Sequence, residues 1–295
     1  MNESCQTEPE LPFLNLSGYR FVELEHLPVL QADLYTALDA IGVKGTILLA
    51  DEGINIALAA TTVQGKAVRE LLDADERFSG IWLKISESAT LPFAKLKVRI
   101  RHEIIAFDGP DDGTAHNDSN RVARPTARLD RPEAPALPPK KLKAWLDEKR
   151  NFTLLDTRNT YEITSGTFSE AVDLGIEHFR HFKDAVKAGV ADGSLDPAKP
   201  MVTFCTGGIR CEKAAPWLLT QGFTEVWQIE GGILNYFEEC GDAHWQGDCF
   251  VFDDRVEIDT QLQPTGAEHC NYCERCHRAL LRCTCQQPEE TSVHR

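Results

Sequence analysis

The amino-acid sequence predicts an α/β protein made of two domains and a cysteine-rich tail. Strand and helix signals alternate in the order βαββαβ near the N-terminus, which is the ferredoxin-like pattern. A second alternation of strands and helices begins near residue 140 and is typical of a parallel sheet. Between them the composition shifts to Asp, Gly, Asn, Pro and Arg, as in a linker. We therefore predict a ferredoxin-like α+β domain over residues 1–107, a linker over 108–139, a parallel-sheet α/β domain over 140–243 and a C-terminal extension over 244–295.

The elements of the first domain follow from hydrophobic periodicity and turn residues. Apolar residues at helical spacing predict a helix that begins at Pro28 and runs to Ile41. Thr61 or Thr62 can cap a second helix that ends near Leu72. Four β-rich runs complete the βαββαβ order, and the turn between the second and third is Asp51-Glu52-Gly53. The predicted strands are Tyr19–Leu24, Lys44–Leu49, Ile54–Ala59 and Ile81–Ile85.

Basic residues concentrate after the first domain. Residues 95–150 hold 13 Lys and Arg against 9 Asp and Glu, although the whole chain carries a net charge of −15. Over Lys95–Phe107 cations alternate with apolar residues, so one strand face would be buried and a row of cations exposed. On charge alone a solvated face is the better interpretation, but a nucleic-acid contact stays open because phosphates need only a local basic surface.

The second domain alternates short buried strands with helices. Strands are predicted at Thr153–Leu155, Met201–Phe204 and Glu225–Ile229. Helices are predicted to start at Leu142–Leu146 and to cover His178–Val186 and Glu212–Leu219. In such a sheet, reactive groups collect at the carboxyl ends of the strands.

One loop in this domain predicts chemistry. The strand Met201–Phe204 leads into Cys205-Thr206-Gly207-Gly208-Ile209-Arg210, and a helix follows. The helix N-terminus and Arg210 favour a thiolate at Cys205, and the two glycines allow backbone N–H groups to converge on one anion. A buried structural cysteine is the alternative. A cysteine phosphatase is a distant one, because such enzymes place five residues between Cys and Arg and this loop has four.

The loop Cys205–Arg210 resembles the active-site loop of the rhodaneses. Asp156-Thr157-Arg158 with Glu162 and Gly166 resembles the pattern that opens a rhodanese domain, and Gly231-Gly232 resembles the glycine pair near its end. We expect Asp156 and Arg158 to form an internal pair that braces the loops, with Glu162 in support. Arg210 is expected to close the loop and help to hold its anion. Thr167-Phe168 and Pro216 depart from the common rhodanese pattern.

Longer strings narrow the resemblance. CTGGIRCEKA, DTRNTYE, GTILLADEGINIAL, FAKLKVRIRHEII and CFVFDDRV are together similar to the bacterial tRNA uridine hydroxylases over most of residues 17–260. This resemblance implies oxygen-dependent 5-hydroxylation of the wobble uridine (position 34) of tRNA, with Cys205 as the required cysteine and molecular oxygen as co-substrate. It also implies tRNA as partner, contacted at the anticodon region. We recognise no cofactor motif and no obligatory protein partner in the sequence.

Two other functions remain open at this point. A thiosulfate or persulfide sulfurtransferase would use the same thiolate, but would not need the N-terminal domain. A non-enzymatic adaptor is disfavoured by the intact loop. If tRNA is the substrate, the best phosphate contacts are Lys95, Lys97, Arg99 and Arg101, with Arg124 and Arg128 in the linker. For Glu52 and Asn55, turn chemistry and a role towards the substrate are equally good interpretations.

The remaining cysteines divide into two groups. Cys211 could resolve a persulfide as a disulfide, although packing is the simpler account, and Cys240 and Cys249 have no special predicted role. Cysteines are denser in the tail, and their spacing predicts a structural zinc site at Cys270, Cys273, Cys283 and Cys285. Cys276 or His277 could replace one of these ligands, and a metal-free tail is the alternative.

The chain is expected to be cytoplasmic. Its first residues lack the basic and apolar regions of a secretory signal, and its apolar stretches are well below the roughly 20 residues that span a bilayer. Ten cysteines in a large chain without a signal peptide are more often catalytic or metal-binding than disulfide-bonded.

Overall fold

The computed structural model describes residues 13–108 and 132–265. The first domain contains one five-stranded sheet in the order β4-β1-β3-β2-β5, with two helices packed on it. Strands β1 to β4 pair antiparallel in the ferredoxin-like order, and β5 adds to the edge parallel to β2. The predicted fold of this domain is confirmed. Its elements are β1 (Phe13–Phe21), α1 (Leu27–Ile41), β2 (Lys44–Ala50), β3 (Gly53–Ala60), α2 (Thr62–Asp73), β4 (Leu83–Ser88) and β5 (Leu96–Ile100).

Local chemistry accounts for both helices. In α1 the buried residues recur every three or four positions, from Leu27 to Leu38, so one stripe faces the sheet. Gly42 ends this helix with φ of 85°, a left-handed conformation that glycine adopts without strain. At the start of α2, the Thr61 side chain accepts from the Gln64 N–H while the Gln64 side chain accepts from the Thr61 N–H.

Three strands of the first domain differ from the sequence-based expectation by more than one residue. β1 is Phe13–Phe21 rather than Tyr19–Leu24. The sequence hides its first half because a polar residue, Asn15, stands at a buried position, where its amide donates to the Ser88 hydroxyl at 3.1 Å. β4 is Leu83–Ser88 rather than Ile81–Ile85. The alternating stretch from Lys95 continues as a strand only to Ile100.

The chain leaves the first sheet because its next apolar residues pack elsewhere. Ile104 is fully buried, and Phe107 lies in the core of the second domain. The Phe107 ring stacks on Phe179 with centroids 5.1 Å apart and meets Trp217 edge-on at 6.3 Å. This anchoring ties the end of the first domain to the second.

The second domain has a five-stranded sheet in the order β6-β11-β10-β7-β9. Every neighbouring pair in it is parallel, which confirms the predicted architecture. Apolar cores cover both faces of the sheet. The sheet strands are β6 (Ala136–Leu137), β7 (Thr153–Asp156), β9 (Ala171–Asp173), β10 (Met201–Phe204) and β11 (Val226–Ile229), and the helices are α3 (Pro139–Asp147), α4 (Thr160–Ile163), α5 (Phe182–Asp192), α6 (Cys211–Thr220) and α7 (Gly232–Cys240).

Two details of this domain extend the prediction. The segment from His178 was expected to be helical, but it opens with a 3₁₀ turn at Phe179–His181 and becomes α-helical only at Phe182. β6 lies inside the segment that we predicted as linker and pairs with β11. The division of the chain at 107/108 and 139/140 stays a prediction.

None of the helices in the two described ranges combines the length and apolar character needed to cross a membrane.

The C-terminal extension joins the two domains. Its first strand, β12 (Trp245–Gly247), pairs with β8 (Gly166–Phe168), and β13 (Cys249–Phe250) pairs with β14 (Glu257–Ile258). The Arg255 guanidinium donates to the Ser86 hydroxyl on β4 at 2.8 Å. Lys84, also on β4, forms an ion pair with Glu238 of α7. These contacts hold the N-terminal sheet against the parallel-sheet domain.

Candidate active site

The loop Cys205–Arg210 connects the carboxyl end of β10 to the first turn of α6. The Cys205 side chain is fully buried, and the Gly208 N–H donates to its Sγ at 3.1 Å. Gly208 has φ of 95°, which a glycine adopts without the strain that a side chain would bring. Below the loop, a Cβ on Gly232 would lie 2.4 Å from the Cys205 carbonyl oxygen, so only glycine fits there. The loop thus places backbone N–H groups on the sulfur itself, and the predicted cradle for a further anion stays a prediction.

The surroundings of Cys205 favour its thiolate. Burial opposes ionisation, but the side-chain hydrogen bond from Cys211, the positive charge of Arg210 and backbone N–H groups outweigh it and lower the pKa of Cys205 to about 6. Burial and the adjacent Cys205 raise the pKa of Cys211 well above that of an ordinary thiol, so Cys211 stays neutral and donates. Cys249 is equally buried, and there burial raises the pKa to about 12. The loop, rather than burial, therefore activates Cys205.

Arg210 pairs with Glu162 rather than standing free. Its two terminal nitrogens donate to the two carboxylate oxygens at 2.6 and 2.7 Å, and both side chains are almost completely buried. Glu162 also accepts from the Asn159 N–H at 3.1 Å at the start of α4. This bidentate ion pair between Arg210 and Glu162 fixes the end of the loop. The predicted role of Arg210 in closing the loop is consistent with this geometry, and its role in holding an anion stays a prediction.

Asp156 and Arg158 form the internal pair that the sequence predicted. Arg158 Nη2 lies 2.6 Å from an Asp156 carboxylate oxygen and also donates to the Gly166 carbonyl at 2.7 Å. The Thr167 hydroxyl donates to the same Asp156 carboxylate at 2.8 Å. Thr167, one of the departures from the common rhodanese pattern, is thus a third member of this buried network. Its neighbour Phe168 packs edge-on against Phe204, with ring centroids 5.0 Å apart.

The N-terminal domain reaches the loop through Tyr19, which sequence reasoning missed. A Cβ on Gly208 would lie 2.9 Å from the Tyr19 hydroxyl, so this residue covers the loop. The hydroxyl donates to Glu212 at 3.3 Å. Burial, reinforced by the negative charges of Glu212 and Cys205, raises the pKa of Tyr19, which keeps the phenol protonated. The active-site cover therefore comes from the other domain.

Lys213 is a second residue that the sequence did not single out. From the buried side of α6 its ammonium group donates to Glu52 and Glu103 of the N-terminal domain, each at 2.7 Å, and to the Ile105 carbonyl at 3.0 Å. Glu52 in turn accepts from the Ile104 N–H at 2.8 Å. Burial raises the pKa of Glu52, and the Lys213 charge opposes that rise. Glu52 is therefore placed as an interdomain ion-pair partner.

A cavity of about 400 Å³ lies beside the loop, between the two domains. Tyr19 and Trp82 line it from the N-terminal domain, and Gly208 lines it from the active-site loop. Gly208 also donates to the Cys205 Sγ, whereas Cys205 itself is fully buried and is not among the lining residues. The other residues around it are Ala136, Glu212, Gln228, Ile229, Glu230, Gly231, Asn235 and Glu239.

Only some of the predicted tRNA contacts, and none of the predicted zinc ligands, fall within the described residues. Lys95 and Arg99 are exposed on or beside β5, whereas Lys97 and Arg101 are partly buried. Arg124 and Arg128 lie outside the described residues, as do Cys270, Cys273, Cys283 and Cys285. Within residues 13–108 and 132–265 no group of three or more His, Cys, Asp or Glu side chains is placed to hold a metal ion.

A direct titration tests the activation of Cys205. Its thiolate should appear with a midpoint near pH 6, far below the ordinary value of 9.0, and should be lost as the pH falls further. The measurement is the ultraviolet absorbance of the thiolate in the wild type, from which the titration of the Cys205→Ser variant is subtracted. A midpoint close to that of an ordinary thiol would show that the loop does not stabilise the anion.

Two family models match separate parts of the chain. Residues 13–104 match the family described as "UPF0176 acylphosphatase like domain", and residues 138–239 match "Rhodanese-like domain". A Bordetella petrii protein named tRNA uridine(34) hydroxylase is 43% identical over 259 residues, covering 86% of this chain and 96% of the relative. The protein of that name from Thiobacillus denitrificans is 43% identical over 266 residues, covering 88% of this chain and 100% of the relative.

Among solved structures, the rhodanese-like domain of an Anabaena protein matches with a TM-score of 0.33 at 21% identity, covering 39% of this chain and 80% of that one. The polysulfide-sulfur transferase of Wolinella succinogenes matches with a TM-score of 0.30 at 28% identity, covering 36% and 74%.

Proposed function

The chain belongs to the family of the tRNA uridine(34) hydroxylases, and on that premise we propose that it hydroxylates carbon 5 of the wobble uridine in tRNA. Molecular oxygen is the co-substrate, the anticodon region is the part of tRNA that is bound, and the cytoplasm is the site of action. No protein partner is required in this proposal. The observation that carries it is the activated Cys205, whose Sγ accepts from Gly208, a residue that lines a cavity built by both domains.

The charges around the loop favour a neutral base over a small sulfur anion. The three buried cations near Cys205 each pair with carboxylate groups: Arg158 with Asp156, Arg210 with Glu162, and Lys213 with Glu52 and Glu103. Three carboxylates, Glu212, Glu230 and Glu239, line the cavity. Thiosulfate entering there would meet like charge, which costs free energy in a partly desolvated site. A sulfurtransferase is therefore the weaker candidate.

The decisive experiment measures the wobble nucleosides of tRNA. Cells that lack this protein should lose 5-hydroxyuridine and the nucleosides derived from it, and the wild-type gene should restore them. Mass spectrometry of digested tRNA gives the readout. A nucleoside profile that is unchanged by the deletion would overturn the proposed function, and thiosulfate-dependent sulfur transfer by the purified protein would then support the sulfurtransferase alternative.

Phosphate contacts are proposed for the basic row of Lys95, Lys97, Arg99 and Arg101 on and around β5. A Lys97→Glu, Arg99→Glu double variant should bind tRNA more weakly, and the slope of log K against log salt should flatten by roughly one to two units. The Arg124→Glu, Arg128→Glu variant should show the same weaker binding and the same flatter salt slope. Affinity is measured across a salt series, with Lys187→Glu, an exposed cation on α5, as control. Salt slopes equal to that of the wild type would reject these contacts.

A structural zinc ion is proposed for the tail. Cys270, Cys273, Cys283 and Cys285 supply four thiolates, the donor type and number that zinc prefers. Metal analysis of the purified protein, with and without residues 266–295, should find about one zinc per chain only in the longer form. Equal zinc content in the two forms would reject the tail as the site.

A further inference from the structure

The interdomain cavity has the position and size of a substrate pocket. Its volume of about 400 Å³ falls within the roughly 300–1,000 Å³ of small-molecule sites, near the lower end. Gly208 lines the cavity and donates to the Cys205 Sγ at 3.1 Å. A group that fills this space would therefore contact Gly208, the residue whose N–H is bonded to the Cys205 sulfur.

Trp82 supplies a flat aromatic wall. It immediately precedes β4, and 49% of its surface is exposed although it is a large apolar residue. The Trp82 ring reaches the second domain, where a Cβ on Gly231 would lie 2.9 Å from its Cη2 atom. Gly231 thus leaves room for the indole at the cavity. Exposed indoles beside a charged reaction site are used to stack nucleobases, because every base offers a flat π-face.

Gln228 supplies polar recognition inside the same cavity. It lies on β11, which pairs with β10, the strand that leads into Cys205. Its Oε1 atom is buried and accepts no hydrogen bond from any residue that the structure describes. A buried acceptor of this kind is costly unless a ligand or a water molecule satisfies it. A carboxamide offers one donor and one acceptor side by side, which matches the carbonyl and N3–H of uracil.

The charge of the cavity indicates which part of an RNA enters it. Glu212, Glu230 and Glu239 line the wall, so a phosphate is repelled and a neutral ring is accepted. The basic row lies on β5, at the edge of the N-terminal sheet opposite to β4. Four strand spacings separate these edges, roughly 19 Å. The part of the cavity wall that the N-terminal domain provides is thus well separated from the basic row.

We propose that the cavity is the nucleobase pocket, in which Trp82 stacks on the uracil ring of the wobble nucleotide and the Gln228 carboxamide pairs with its polar edge. This assignment rests on the proposed function and adds the residues that select the base. The N-terminal domain then provides one wall of the substrate site as well as its phosphate contacts.

The test compares anticodon stem-loop RNAs that differ only at position 34. Trp82→Ala should weaken binding of the uridine-34 RNA about tenfold, because stacking on an aromatic side chain contributes on that order per base. The same variant should bind an RNA with an abasic site at position 34 as well as the wild type does. Trp82→Phe should retain most of the affinity, and Ile85→Ala, an exposed apolar change on β4, is the matched control. Fluorescence anisotropy measures the dissociation constants, and melting curves confirm folding.

Gln228 is tested by base selectivity. Gln228→Leu should lower the ratio of affinities for uridine and cytidine at position 34 towards one. An equal loss for uridine and abasic RNAs in Trp82→Ala, or no loss at all, would overturn the pocket assignment, as would unchanged selectivity in Gln228→Leu. These binding measurements do not depend on catalysis. If the wild-type protein binds with this pattern but forms no 5-hydroxyuridine, the pocket assignment stands and only the proposed function is overturned.

Discussion

Replacing Cys205 by serine should abolish 5-hydroxyuridine formation, lowering the rate by roughly 10³-fold or more, as losses of essential nucleophiles do. The pKa of Cys205 is about 6, so its thiolate predominates at neutral pH. A serine hydroxyl stays protonated in the same loop. Serine is nearly isosteric, so the hydrogen bond from Gly208 and the packing of the loop should survive. Nucleoside mass spectrometry of tRNA from deletion cells that carry the variant measures the effect.

Two other cysteines give matched controls. Cys240→Ser, at a partly exposed position on α7, should stay within about twofold of the wild type. Cys211→Ser keeps a hydroxyl that can donate to Cys205, so it should retain most of the activity if Cys211 acts only as a hydrogen-bond donor. A loss as large as that of Cys205→Ser would instead assign Cys211 the role of a resolving thiol. Hydroxylation that persists in the Cys205→Ser variant would refute the role of Cys205 as the nucleophile.

The sequence was informative wherever the structural signal is local. The run Met201–Phe204 followed by Cys205 and two glycines contains both the buried strand and the turn that opens α6, so the position of the sulfur was predictable. Asp156 and Arg158 are two residues apart and could be paired on the same basis. The order of strands and helices in the N-terminal domain followed from periodicity in the same way.

Contacts between distant parts of the chain were not predictable from the pattern. Tyr19 meets Glu212 across 193 positions, and Lys213 meets Glu52 across 161. Such pairs depend on how the two domains are packed, which no periodicity encodes. The sequence did contain a partial indication of the Lys213–Glu52 pair, because Lys213 lies on the buried side of α6 and Glu52 lies in a turn. A charged residue that must be buried needs a partner, and here the partner is on the other domain. The base pocket was missed for the same reason, since Trp82 and Gln228 come together only in the assembled fold.

Changing Glu162 to glutamine should destabilise the protein by about 3–5 kcal/mol, because it leaves the buried Arg210 charge without its counter-charge. The two side chains are 0% and 5% exposed, so water cannot replace the lost carboxylate. Glutamine retains an oxygen for the Asn159 N–H, which spares the start of α4. The midpoint of thermal unfolding should fall by about 10 °C for a chain of this size. Lys143→Met, which removes an exposed ion pair with Asp147, should leave the midpoint nearly unchanged.

The Glu162→Gln variant should also change the pKa of Cys205 and the dependence of stability on acid pH. Removing the Glu162 charge leaves more positive potential from Arg210 at the loop, so the pKa of Cys205 should fall below about 6. In the wild type, burial opposes ionisation of Glu162, but the Arg210 charge outweighs it and lowers the pKa of Glu162 below its ordinary 4.5. The stabilisation is therefore present above pH 4.5 and lost as the pH falls through the folded-state value, and the variant should lack this acid-sensitive part. An unchanged melting midpoint and an unchanged Cys205 titration would mean that Arg210 finds another counter-charge, for which Asp156 is the candidate because its negative charge already acts on Arg210.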